Sequence, residues 1–91
     1  MSADFDLDTR RKRIRYRAWH RGLRELELIM GRFADAHGAD LDATGVAEFE
    51  RLLDAEDGNV LAWLMGQQKP DAGCDNGVFR RLKAFADGIA A

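Results

Sequence analysis

Few side chains in this 91-residue chain are of types that do chemistry, and their spacing suits it poorly. Cys74 is the one cysteine. A thiol nucleophile needs a base beside it, and this one lies in a Gly/Asp-rich segment with no histidine nearby in sequence. His20 and His37 are widely spaced and, with Cys74, give no ligand pair at zinc-site separation. No metal site is expected, and both histidines are read as surface residues. Asp54, Glu56 and Asp57 make close acidic pairs, but at an expected helix end, where carboxylates serve as caps and solvated charges. Gly22, Gly31 and Gly38 are scattered with no strand before them, which rules out a phosphate-cradling loop. No catalytic residue is assigned.

Basic residues are a stronger signal. Arg10, Arg11, Lys12, Arg13, Arg15, Arg17, Arg21 and Arg24 are eight of the 14 cations, with no acid between the first and the last. Six cations are left against all 16 acids, so a net charge of -2 conceals a positive end and an acidic remainder. Such asymmetry bears on partners, not on fold. On a helix Arg10, Arg13 and Arg17 share a face, and Tyr16 and Trp19 are interleaved aromatics of the kind that stack on bases. Three readings stay open: a solvated helix face with Trp19 tucked into the core, a face that docks on a protein, and a nucleic-acid surface.

Arg21-Gly22-Leu23-Arg24-Glu25 narrows the choice. A glycine inside a helix costs about 1 kcal/mol relative to alanine. Gly22 therefore either marks a corner between two helices or is kept bare so that a partner's backbone can approach. Arg21 and Glu25 are four apart and, on one helical face, would flank that bare spot. Arginine before glutamate is the weaker order for a self-stabilising pair, so a docking patch explains them better.

Positioning these residues falls to helices, because period-two alternation is absent and only one proline is present. Ile14 and Ala18 mark a first helix from Asp8 to about Trp19, capped by Asp8 or Thr9, with residues 1–7 expected to be flexible. Leu23, Leu26, Met30, Phe33 and Ala34 stripe a second, about Leu23 to Ala36, closed by Gly38. Val46, Phe49, Leu52 and Leu53 follow an N-cap at Asp42 in a third that runs to about Ala55. Asp57 caps a fourth bearing Val60, Leu61, Leu64 and Met65. Pro70 and Gly73 separate it from a fifth with Val78, Phe79, Leu82, Phe85 and Ile89. Short connections fold successive helices back on each other, which predicts an all-α chain, a compact bundle of five short helices forming one domain over residues 1–91.

A chain this short has room for one core and none for a substrate cavity of ordinary enzyme size. An apolar content of 46% argues against disorder, and no apolar run is long enough to span a bilayer. A single cysteine suits a reducing compartment. Asp4, Asp6 and Asp8 argue against a transit peptide, so a cytoplasmic location is expected.

The segment Arg-Gly-Leu-Arg-Glu-Leu-Glu at 21–27, then Met30-Gly31-x-Phe33, Phe49-x-x-Leu52-Leu53, Glu56-Asp57, Trp63-Leu64-Met65-Gly66 and Lys69-Pro70 keep an order and spacing that resemble a known family. It is that of the succinate dehydrogenase assembly factors that promote covalent FAD attachment. The resemblance runs from about Arg13 to Pro70, with Gly58-Asn59 replacing a stretch that often holds proline or a further acid, and with a generic tail. It implies a non-enzymatic helper that binds the flavoprotein subunit of succinate dehydrogenase, or of fumarate reductase, while a histidine of that subunit becomes linked to FAD. Carried onto this chain, Arg21, Gly22 and Glu25 form the client-docking surface, and Arg24 and the first-helix arginines, Arg17 among them, add positive charge. No flavin is expected to stay bound to the helper, which is expected to be a monomer with no specific nucleic acid and no membrane insertion.

Overall fold

Apolar residues at helical spacing become five α-helices, and no strand, among the residues described by the computed structural model. These are residues 3–90, with side chains over 6–89. The helices are α1 (Ala3–Ala18), α2 (Arg24–His37), α3 (Ala43–Asp54), α4 (Asp57–Leu64) and α5 (Gly77–Ala90). A single 3-10 turn, Gly38–Asp40, follows α2. The all-α reading holds.

α1 has a narrow apolar face, with Ile14 and Ala18 fully buried and Leu7 beside them. Burying one such isoleucine contributes about 1.5–3 kcal/mol, little for a helix of 16 residues. Arginines complete its attachment. Arg10 reaches Glu50 on α3 (Nη2–Oε1 2.6 Å), and Arg11 donates twice to the Leu41 carbonyl oxygen (2.9 and 2.6 Å). Arg15 pairs with Asp35 on α2 at 2.6 Å, and Arg17 with Asp54 at 2.9 Å. Solvent-exposed pairs are each worth up to about 1 kcal/mol, so these orient α1 more than they hold it.

α1 starts at Ala3, not at the expected cap, and the Asp8 carboxylate pairs with Arg11 one turn on (3.2 Å). Of the segment 1–7 expected to be flexible, residues 3–7 are helical, while Met1 and Ser2 lie outside the described residues.

In α2, Leu26, Ile29, Met30, Phe33 and Ala34 face inward. Leu23, expected on that stripe, is instead the 38% exposed N-cap residue. Gly38 follows α2 with φ −59°, so it opens the 3-10 turn instead of ending the helix by a left-handed bend. The Asp42 side chain accepts from the Gly45 amide (2.8 Å), the cap the sequence predicts. α4 departs from expectation: Glu56 occupies the N-cap position and Asp57 is the first helical residue. Met65 lies beyond its last turn and is exposed. Asn76 caps α5, its Oδ1 accepting from the Phe79 amide at 2.8 Å.

The buried apolar side chains form one cluster drawn from all five helices, including Phe49 and Trp63. Phe33 is its centre, stacked on Phe49 (5.8 Å between ring centroids) and edge-on to Phe85 (5.7 Å). His37, read as a surface residue, is half-buried and packs on the rings of Phe33 and Phe85. His20 is exposed and stacks on Tyr16. The radius of gyration, 12.5 Å, matches the roughly 12 Å of a closely packed chain of this length. No described helix is long and apolar enough to cross a membrane.

Candidate functional site

Residues 19–23 form the corner between α1 and α2, and every predicted docking residue lies in it or within a turn of it. α1 ends with the Trp19 and His20 amides folding back onto the Arg15, Tyr16 and Arg17 carbonyls. Trp19 then lays its indole against Gly31 of α2, so closely that a Cβ at Gly31 would fall within the ring. The indole N–H donates to Asp35 (3.3 Å), which also holds Arg15. Gly31, part of the Met30-Gly31-x-Phe33 pattern, is thus the seat for the indole.

Gly22 has φ +91°, a left-handed conformation that disfavours any Cβ. Of the two readings left open by the sequence, the corner is the one observed. Leu23 follows in extended conformation and caps α2 without a side-chain hydrogen bond. The missing cap is supplied from the other direction. Glu27, within the first turn of α2, accepts from the backbone amides of Arg21 (2.8 Å) and Gly22 (3.2 Å). Those two donors, Gly22 first, hold its carboxyl below the ordinary value of 4.5 against the opposing effect of desolvation.

Arg21 turns inward. Its side chain is only 9% exposed, and Nη1 and Nη2 donate to the carbonyls of Leu53 (2.5 Å) and Ala55 (3.0 Å) at the end of α3. Nη2 also pairs with Asp57, the first residue of α4, at 2.5 Å. Nε is buried without a partner. A planar fork of donors suits this position: it satisfies the free carbonyls at a helix end and complements that end's negative dipole. Arg21 therefore does not share a helical face with Glu25, because the corner lies between them.

What remains outward is Gly22, Leu23, Arg24 and Glu25, all exposed. Arg24 and Glu25 have no hydrogen-bond or ion-pair partner among the described residues. Arg17 is close by in sequence on the last turn of α1, tied to Asp54.

Sequence reasoning missed Glu27 and Asp57 as parts of the site. An acid in the first turn of α2, just after a corner glycine, was a usable sign for Glu27. Asp57 was read as a cap, and nothing local to it points to Arg21.

Cys74 is buried, and burial pushes its thiol above the ordinary value, away from the thiolate a nucleophile requires. No group of three or more His, Cys, Asp or Glu among the described residues is arranged to hold a metal ion.

The family described as "flavinator of succinate dehydrogenase" matches residues 12–86. This chain belongs to that family. The match extends past Pro70 to cover most of α5. A protein named FAD assembly factor SdhE, from Acetobacter pasteurianus, is 32% identical over 71% of this chain and 60% of its own length. Succinate dehydrogenase assembly factor 2 of Arabidopsis thaliana is 34% identical over 77% of this chain and 38% of its own. The corresponding protein of Aspergillus terreus is 32% identical over 75% and 23%. The chain thus spans 60% or less of the length of these relatives. No solved structure matches it.

Proposed function

We propose that this chain is an assembly factor that binds the flavoprotein subunit of succinate dehydrogenase and promotes covalent attachment of its FAD. The observation that supports it most is membership of the flavinator family, with a corner whose outward residues have no internal work. Gly22, Leu23, Arg24 and Glu25 form the contact surface, Arg17 contributes positive charge beside it, and Arg21 sets its shape from beneath. The FAD belongs to the client, with fumarate reductase as a second candidate client. The helper needs no catalytic group of its own. Binding energy on the client holds its domains and flavin in a reactive geometry, which lowers the barrier by positioning. The chain acts as a monomer in the cytoplasm.

A nucleic-acid role is disfavoured by how the arginines are used. Arg10, Arg11, Arg15, Arg17 and Arg21 each hold an intramolecular partner. Phosphate contacts would have to come from the remaining cations, so duplex DNA is expected to bind with a Kd of roughly 10⁻⁴ M or weaker at physiological salt.

The test is co-expression of the flavoprotein subunit with this chain in cells lacking their own factor, followed by flavin fluorescence of the denatured subunit on a gel. Covalent flavin should depend on the chain. Equal flavinylation without it would overturn the reading.

A further inference from the structure

We propose that the client-docking surface is composite, and that its second half is the start of α4, residues Glu56, Gly58 and Asn59, where it receives a basic loop of the client. The inference rests on the proposed assembly-factor role and adds a second contact region to it.

Two corners of the fold are fastened into one unit. Arg21, just before Gly22, spans to the end of α3 through Leu53 and Ala55 and to the start of α4 through Asp57. Gly22 lies so near that start that a Cβ placed on it would be 3.8 Å from Asp57 Oδ2. A partner seated on Gly22 therefore meets the α3–α4 corner as well.

Gly58 supplies the second, independent observation. Gly22 is explained by its positive φ, and Gly31 by the Trp19 indole. Gly58 has neither reason. It is a helical residue of α4, its φ is not positive, and an added Cβ would meet nothing within 4 Å. Glycine weakens a helix at such a position, so the folded chain alone gives no cause for it. A partner backbone that must come close to the first turn of α4 does. Gly88 is similarly open but lies in the last turn of α5, where a glycine disturbs the helix least.

Charge selects the occupant. Glu56 is exposed and touches only the Asn59 amide group, at 3.4 Å, and Glu25 on the first corner has no partner. Asp57 is turned to Arg21. With these carboxylates around two bare glycines, the complementary surface is a close-packed loop carrying lysine or arginine.

The experiment measures affinity of the purified flavoprotein subunit for the purified full chain, with melting curves for each variant. Gly58→Ala should melt at the same temperature or higher, yet bind the subunit at least tenfold more weakly. Glu56→Lys should melt as the parent does and lose at least as much affinity, more at low salt than at high salt. Glu25→Ala serves as the reference for the first corner. If Glu25→Ala loses binding while Gly58→Ala and Glu56→Lys keep parental affinity, the composite surface is wrong and the assembly-factor reading survives. If the parent chain does not bind the subunit, both fall. Self-association that changes with Gly58→Ala while client affinity does not would assign this patch to a second copy of the chain and overturn the proposal.

Discussion

The α1–α2 corner and the connection between α4 and α5 both turn the chain, but they are held in different ways. The connection over residues 65–76 is built largely from its own neighbourhood. Asp71 O accepts from the Cys74 and Asp75 amides, and Asn76 caps the helix that follows. Only Asn76, reaching Glu48, and Cys74, whose thiol points to Arg51 O, tie it to α3. The corner at 19–23 is fixed by side chains from every direction. Glu27 of α2 holds its amides, Arg21 anchors it to α3 and α4, and Gly31 seats its indole. A segment that only connects helices can rely on local bonds. One presenting a surface to a partner gains from being rigid beforehand, because ordering it on binding would subtract from affinity. The contrast marks the corner as the working part.

Arg21→Met should break this contrast most severely. It removes three donor contacts and leaves the Asp57 carboxylate, itself only 24% exposed, without its partner. Breaking a buried pair typically costs about 3–5 kcal/mol, and partial solvent access to Asp57 places the expected loss near the lower end. Thermal unfolding measures it. A loss no larger than that of an exposed pair would mean that Arg21 is not the anchor described. Gly22→Ala comes next, at about 1–2 kcal/mol, from forcing a side chain into a left-handed conformation. A melting temperature at or above the parent's would contradict the corner geometry.

On the other side of the comparison, Asn76→Ala should cost about 1 kcal/mol through loss of the α5 cap. Client flavinylation should be unaffected, since the change lies in the connecting segment. Reduced flavinylation at unchanged expression would erase the functional distinction between the two regions.

Glu27 gives a pH-dependent difference. Its folded value is depressed, so its contribution is fully present above the ordinary value of 4.5 and is lost as pH falls through the lower folded value. The gap in melting temperature between the parent and Glu27→Gln should be constant from about pH 7 to pH 5 and should narrow below that. A gap that widens on acidification would mean that the carboxylate does not hold the Arg21 and Gly22 amides.

These outcomes also indicate what was legible in the sequence. Helix positions followed from apolar spacing, because burial of one face is a local pattern that each stretch carries by itself. Ends were read less well. Asp8 has the type of a cap but faces Arg11 inside a helix that is already under way. Asp57 looked like a cap and is the partner of an arginine far back in the chain. The site was legible as a place but not in its division of labour. Arg21 and Glu25 looked equivalent, because the carbonyls that draw Arg21 inward belong to residues 53 and 55, and spacing around residue 21 holds no trace of them.

Glu25→Ala is expected to have the smallest effect on stability and the largest ratio of functional to structural loss. The residue sits in the first turn of α2, where a negative charge gains about 0.3–1 kcal/mol from the helix dipole. It makes no hydrogen bond or ion pair among the described residues, and alanine is the better helix former, so the two effects nearly offset. Melting within a few degrees of the parent is the expected result. At a desolvated protein contact the same carboxylate is worth about 2–5 kcal/mol, because its removal leaves a partner cation buried alone. A loss of that size weakens client binding by about 30-fold or more, since 1.4 kcal/mol is a factor of ten. Covalent flavin on the co-expressed subunit should then fall sharply, and a Glu25→Gln variant, which keeps the shape and drops the charge, should behave like alanine. Recovery with glutamine would show that shape, not charge, makes the contact. Full flavinylation with both variants would move the docking surface away from this corner.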